Sequence, residues 1–343
     1  MNYPPRLRLA HLPTPIHKLE RLSRDVGREI YVWRDDLTGF IESGNKIRKL
    51  EFLLAHALES GANRVITAGG VQSNHTRATS FLARRLGLKV ALVVRQAKSV
   101  QSFPSLPSAN FLLNLIAGGE IHEVSYAEYQ ALGSVYGPFL DRLAAHYRER
   151  GEHPYVIAEG GSVPRGCWGY ILAVEEMLST WKATVGTAAP DALFFADGSG
   201  GTHAGLHLGC ELHGMSPRRL WAVNVCDSAE YFQQRVGKLI EDTAREFSLP
   251  LRERAIQVLD GHFGGGYGLA SDDDLRFYVR LARQEGVLLD PVYTGKAFQG
   301  MLAELKKDGG RFGQKILFLH SGGTFATFAF QEQYARIARE ETA

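Results

Sequence analysis

The chain has 343 residues, 45% hydrophobic and 22% charged, and its 39 Lys and Arg against 37 Asp and Glu leave a formal charge of +2. That balance lacks the basic excess of a nucleic-acid or membrane-surface binder, and the apolar content is too high for a disordered chain. The length suits two domains or one large α/β unit, while the 37 glycines, about 11% against an average near 7%, raise the question of where they sit.

In chain order, Met1 to Arg6 carries no apolar secretion signal and no later run reaches the roughly 18 apolar residues of a membrane span, so a cytoplasmic location is expected. Ile47, Leu50, Leu54 and Leu58 recur at helical spacing and predict a helix from Lys46 to Ser60, with Gly61 suited to its end. Val65–Ala68 predicts a short buried strand. A helix from about Thr76 to Leu86 stops at Gly87, and Val90–Val94 completes a β-α-β unit. Arg95 to Ser108, with Pro104 and Pro107, reads as an exposed loop, either a lid or a plain connection. Further strands are predicted at Glu120–Val124, Tyr155–Ala158, Ala192–Ala196, Leu220–Val225, Ala255–Leu259 and Ile316–Leu319, with helical patterns between most of them. Cys167, Cys210 and Cys226 are odd in number and form no C-x-x-C pair, so each is expected as a small core residue rather than a disulfide or zinc ligand. Strands alternating with helices imply an α/β fold whose mostly parallel sheet is covered on both faces, with ligands beyond the carboxyl ends of its strands.

Three of those strand ends carry related loops. They are Gly69-Gly70-Val71-Gln72-Ser73-Asn74-His75-Thr76, Asp197-Gly198-Ser199-Gly200-Gly201-Thr202-His203, and His320-Ser321-Gly322-Gly323-Thr324. Glycines let backbone N–H groups converge, a helix N-terminus adds a positive dipole end, and Ser199 and Thr202 can donate further, so Ser199 to Thr202 reads as an anion cradle for a phosphate. The alternative is an ordinary turn with Thr202 as helix cap. The dinucleotide fingerprint fails, because counted from Gly198 its last glycine would be His203, and no Gly-Lys-Ser/Thr phosphate loop occurs. Ser43-Gly44-Asn45-Lys46-Ile47-Arg48-Lys49 places a lysine at the head of a helix, where it can meet an aldehyde cofactor whose phosphate is clamped elsewhere. Alternatively Lys46, Arg48 and Lys49 are a solvated helix start, although cations in a first turn oppose the helix dipole.

Ser43 to Glu51, Gln72 to Arg77, Ser199 to Gly205 and Asp290-Pro291-Val292-Tyr293-Thr294-Gly295-Lys296, in this order, resemble the D-cysteine desulfhydrase and 1-aminocyclopropane-1-carboxylate deaminase family. These are pyridoxal 5'-phosphate enzymes of the tryptophan synthase β-subunit fold (fold type II), and the resemblance runs from about Leu12 to about Phe330. It implies two domains built as three-layer, open, twisted, mostly parallel sheets: a large cofactor domain from residues 1–48 and 159–343, and a smaller one at 49–158. It also implies a homodimer acting on a small amino acid, with no nucleic-acid or membrane partner.

By the same resemblance, Lys46 holds the cofactor covalently and later moves a proton. Asn74 meets the ring hydroxyl, and Ser199, Gly200, Gly201 and Thr202 hold the phosphate. Gln72, Ser73, Asn74 and His75 surround the substrate, with Ser73 close to the reacting carbon. Tyr267 and Tyr293 match the family's active-site tyrosines, Tyr293 with a part in proton transfer. Thr294 and Ser321 place hydroxyls where the deaminase branch carries a glutamate and a leucine. A hydroxyl beside the pyridine nitrogen makes the ring a weaker electron sink, which favours loss of a β-substituent over cyclopropane opening. Ser321 in place of threonine and Ser43 in place of glycine depart from many desulfhydrases. The implied reaction is α,β-elimination, with D-cysteine first and L-cysteate or the cyclopropane substrate as alternatives. A silent cofactor binder and a nucleotide-binding module are the readings outside that class.

Overall fold

The computed structural model describes residues 3–96 and 106–341. The chain opens with β1 (Ile16–Lys18), α1 (Glu20–Val26), β2 (Glu29–Arg34) and α2 (Asn45–Glu59). Next come β3 (Arg64–Gly70), α3 (Asn74–Arg85), β4 (Lys89–Arg95), α4 (Ala109–Ile116), β5 (Glu120–Val124), α5 (Tyr126–Ala131), α6 (Gly137–Glu149) and β6 (Pro154–Val156). The long α7 (Pro164–Val185) leads to β7 (Ala192–Asp197), α8 (Gly201–His213), β8 (Leu220–Asn224), α9 (Ala229–Phe247) and β9 (Val258–Leu259). The remainder is α10 (Asp272–Glu285), α11 (Thr294–Asp308), β10 (Lys315–His320) and α12 (Gln331–Glu340).

The strands form a six-stranded sheet ordered β1-β2-β10-β7-β8-β9 and a four-stranded sheet ordered β5-β4-β3-β6. All pairings are parallel except β1 with β2. Side-chain alternation along each strand feeds two faces, and helices cover both. In the larger sheet Val32, Phe194 and Phe318 pack with Phe298 and Met301 of α11 on one side. Trp33, Phe195 and Leu319 pack with Val174, Met177 and Leu206 of α7 and α8 on the other. The smaller sheet repeats the arrangement, with Val65 and Leu92 against α2 and α3 and with Ile66 and Val93 against α6. The expected three-layer, mostly parallel α/β architecture is present.

Several boundaries differ from the sequence reading. Strands β1 and β2 were not anticipated; in β2 the charged ends Glu29 and Arg34 flank four buried residues, a run too short to stand out. Of the strand expected at Ala255–Leu259 the ladder takes Val258 and Leu259, paired with Ala222 and Val223, while the Ala255 N–H turns to the Glu253 carboxylate. Cys167 and Cys210 are core residues as expected, whereas Cys226 is half-buried. Most of the expected lid at 95–108 lies outside the described residues.

Candidate active site

The carboxyl ends of β3, β7 and β10 open onto a cleft lined by Lys46, Ser73, Asn74, His75, Ser199, Gly200, Thr202, Tyr267, Tyr293 and Ser321. Glu159, Gly160, Asp197 and Gly198 complete much of its wall. These loops are pinned to one another. The Asn45 N–H donates to the Ser321 carbonyl at 2.9 Å, and a Cβ on Gly44, where φ is +108°, would fall 2.9 Å from the same oxygen. Asn45 Nδ2 donates to Thr202 Oγ1 at 3.1 Å. The close approach of β10 to the head of α2 therefore requires glycine at 44.

A solvated helix start is not what α2 presents. Arg48 and Lys49 are each 1% exposed. Arg48 donates to both Asp35 oxygens at 2.8 and 2.7 Å and to both Glu176 oxygens at 3.0 and 2.8 Å. That buried fork locks the first turn of α2, so Lys46 and Lys49, three apart on a neighbouring face, are held in place. Arg77 of α3 donates to the Ile41 and Ser43 carbonyls and fixes the loop that precedes Gly44.

Burial pulls the Lys46 pKa down to about 8, against the opposing pull of Glu159 and Asp197. Burial, reinforced by Lys46, holds Lys49 well below the ordinary lysine value. The Lys49 Nζ donates to the Gly160 carbonyl at 3.3 Å, and no carboxylate pairs with it among the described residues. A Cβ on Gly201 would come within 2.8 Å of that Nζ and 2.6 Å of Ser162 Oγ, so glycine keeps this corner open.

The Gly200–Thr202 loop is built as a donor cluster. Asp197 accepts the Gly200 N–H at 2.9 Å and faces His203 Nδ1 at 3.1 Å. The Ser162 and Ser199 hydroxyls are 2.8 Å apart. Helix α8 begins at left-handed Gly200, which offers no side-chain cap, and has no acidic residue in its first turn; the Gly201 N–H donates to Ser162 Oγ at 3.2 Å, and the dipole end favours an anion.

Opposite, Ser73 caps α3, its hydroxyl accepting the Thr76 N–H at 3.3 Å; a Cβ on Gly69 would fall 2.5 Å from that oxygen. Asn74 accepts from Asn110 Nδ2 at 2.8 Å through its carbonyl oxygen, which leaves its amide hydrogens for the cleft. His75 donates through Nε2 to Thr67, whose hydroxyl in turn donates to the Ile157 carbonyl. Its buried Nδ1 has no partner among the described residues, and burial together with Lys46 and Lys49 pushes the imidazole well below its ordinary pKa. The Tyr267 and Tyr293 hydroxyls meet at 2.5 Å. Lys296, donating to the Phe263 and Gly266 carbonyls, holds the loop that carries Tyr267.

Two expected contributors turn elsewhere. Gln72 accepts the Asn110 N–H at 3.0 Å and donates to the Ser108 carbonyl, tying β3 to α4 instead of facing the cleft. The Thr294 hydroxyl donates to Asp290 at 2.6 Å and accepts the Asp290 N–H at 2.9 Å, so of the hydroxyls at 294 and 321, Ser321 lines the cleft and Thr294 is committed to Asp290. Gly201 is not in the cleft lining but forms the floor beside Lys49. The sequence reading missed Glu159 and Ser162. Both lie in Glu159-Gly160-Gly161-Ser162, a further glycine pair with a hydroxyl after a predicted strand, which is the signal that could have found them.

The family model for pyridoxal-phosphate dependent enzymes matches residues 7–322. The chain is 38% identical over 328 residues to D-cysteine desulfhydrase from Salmonella typhi, covering 95% of this chain and 96% of that protein. It is also 38% identical over 330 residues to the bifunctional D-cysteine desulfhydrase/1-aminocyclopropane-1-carboxylate deaminase of Arabidopsis thaliana, covering 96% and 80%. A crystal structure of an ACC deaminase homologue superposes with a TM-score of 0.85 at 35% identity, covering 97% and 96% of the two chains. Matches of this length, laid over a cleft that sets the half-buried Lys46 against an anion cradle, show that the chain belongs to the family of pyridoxal-phosphate dependent enzymes.

Proposed function

We propose that the protein catalyses α,β-elimination on a small amino acid with a β leaving group, with D-cysteine as first substrate: D-cysteine and water give pyruvate, hydrogen sulfide and ammonia. The residues present fit pyridoxal phosphate. Lys49 is a buried lysine with no carboxylate bonded to it among the described residues, and the N-cap of α8, Gly200, has no side chain to cap it, so a phosphate supplies a negative charge to this corner. Ser199, Gly200, Gly201, Thr202 and Lys49 would hold that phosphate, Asn74 the ring hydroxyl, Ser321 the ring nitrogen, and Lys46 the aldehyde carbon. Bound there, the cofactor supplies an electron sink for the charge left at Cα.

The observation that carries the reading is a single cleft shared by Lys46 and the hydrogen-bonded Tyr267 and Tyr293 hydroxyls, groups of opposed acidity. Lys46 sits at about 8 and Tyr267 at about 12, so one is a base near neutral pH and the other stays an acid. The Lys46 amine takes or returns a proton at Cα, according to substrate configuration. The α3 N-terminus, with Ser73 and His75, receives the substrate carboxylate through N–H and hydroxyl donors. The linked Tyr293 and Tyr267 hydroxyls deliver a proton toward the departing sulfur. A second reading, deaminase action on 1-aminocyclopropane-1-carboxylate, draws on the names of its relatives. The neutral Ser321 hydroxyl favours the first, because ring opening calls for stronger electron withdrawal.

The domain division at 1–48 with 159–343 and at 49–158 remains part of the proposal, supported by the two separate sheets. So does a homodimer, supported by exposed Phe40, Ile116 and Phe328 around the packed α4 and 324–330 segment. No helix among the described residues is long and apolar enough to cross a membrane; the three unpaired cysteines support a cytoplasmic location.

The test is a substrate panel of D- and L-cysteine, L-cysteate, D-serine and 1-aminocyclopropane-1-carboxylate, scored for keto acid, sulfide and sulfite. Sulfide from D-cysteine is expected. Keto acid from the cyclopropane substrate, with no sulfide from D-cysteine, would reverse the order of the two readings.

A further inference from the structure

Glu159 is the cleft group with no task in that scheme. It follows β6, lines the cleft with Lys46, Tyr267 and Tyr293, and its carboxylate makes no hydrogen bond or ion pair among the described residues. Its neighbour Gly160 fits so closely that a Cβ there would fall 2.5 Å from Ser199 Oγ, which pins the Glu159 backbone at the cleft wall. The other cleft carboxylate, Asp197, is occupied by the Gly200 N–H and His203, and of the two, Glu159 acts more strongly on Lys46.

A half-buried carboxylate to which no side chain is bonded is costly, and burial pushes its pKa up against the pull of Arg95, Arg235 and Lys46. Nor does it assist in holding the anions that the cleft receives, the phosphate and the substrate carboxylate, which face N–H, hydroxyl and lysine donors on α3, α8 and α2. Besides its pull on Lys46, a carboxylate held at the wall of an anion-receiving cleft repels a further anion, and specificity is commonly built from such a repulsive element.

We infer that Glu159 is a specificity-determining residue whose carboxylate excludes amino acids with an anionic β-substituent, such as a sulfonate or carboxylate, and admits those with a neutral thiol or hydroxyl. The inference rests on the elimination reading above. It deepens that reading by separating D-cysteine from L-cysteate on charge.

The test compares the cofactor-loaded wild type with Glu159→Gln, Glu159→Asp and Glu159→Ala. Dissociation constants for D- and L-aspartate and for D- and L-alanine, which lack a good leaving group, are read from the cofactor's absorbance. Glu159→Gln and Glu159→Ala are expected to tighten aspartate by at least about tenfold while alanine moves by less than about twofold, and Glu159→Asp to stay near wild type. The ratio of kcat/KM for L-cysteate over D-cysteine rises by a similar factor in the first two. Because no side-chain partner is lost, the melting temperature of Glu159→Gln equals or exceeds that of the wild type. Unchanged aspartate affinity in the two neutral variants, or equal weakening of aspartate and alanine, would overturn the inference. If the wild type turns over no β-substituted amino acid, the elimination reading fails, and the aspartate and alanine constants still decide the role of Glu159.

Discussion

The hydroxyl oxygens of Tyr267 and Tyr293 stand 2.5 Å apart, their rings edge to face at 5.7 Å. Burial raises both acidities' pKa values, Tyr267 to about 12 and Tyr293 well above the ordinary phenol; the shared hydrogen bond pulls the first down and the second up. The pair is one protonated donor unit at neutral pH. Tyr293→Phe should lower kcat for D-cysteine by about 10²–10⁴ with a smaller change in KM, and Tyr267→Phe by less. Steady-state kinetics check this, and an equal loss in KM and kcat would point to a packing role instead.

Lys46 binds fewer protons in the folded chain than in the unfolded chain between about pH 8 and the ordinary lysine value. Stability of the cofactor-free protein therefore gains a contribution as pH rises through that window, since the unfolded state then holds more protons. Lys46→Met removes the contribution. Urea denaturation of the two proteins from pH 7 to 11 should show the variant ahead at pH 7 and the difference closing as the pH rises.

Lys49 makes a sharper case, because burial, reinforced by Lys46, outweighs the opposing pulls of Cys167 and Asp197 and holds it well below the ordinary lysine value. Lys49→Met should raise the melting temperature of the cofactor-free protein at pH 7 and weaken pyridoxal phosphate by at least about tenfold. Inorganic phosphate should stabilise the cofactor-free wild type and leave Lys49→Met unmoved. Calorimetric melting with and without phosphate reads both effects.

Arg48 lies one position from Lys49 yet serves the frame. Its guanidinium joins Asp35, 0% exposed, to Glu176. Arg48→Ala leaves that buried carboxylate with the Thr14 and Tyr170 hydroxyls but without its cation, at a cost of about 3–5 kcal/mol. Equilibrium unfolding should show that loss, and activity should fall with it as the head of α2 loosens.

Much of the site is legible in short loops, because glycine pairs and hydroxyls at strand ends have few structural reasons to recur. Lys46, Ser73, Asn74 and the Gly200–Thr202 cradle belong to this class. What the chain order hides is the use of a side chain already claimed by a neighbour. Thr294 is spoken for by Asp290, whose carboxylate also accepts the N–H groups of Val292, Tyr293 and Thr294, and Gln72 by the start of α4. The glycine pair after Glu159 marks its loop in the sequence, but that its carboxylate has no bonded partner among the described residues becomes visible only once its neighbours are placed. Strand β2 escaped because its four buried residues look like any short apolar run until β1 and β10 pair with it on either side.

The most direct measurement is sulfide and pyruvate released from D-cysteine by the cofactor-loaded enzyme, followed in parallel with Lys46→Ala. The wild type should release the two products in equal amounts, and Lys46→Ala should release neither and lose the borohydride-reducible yellow chromophore. Turnover and chromophore that both survive in Lys46→Ala would contradict the central role given to Lys46.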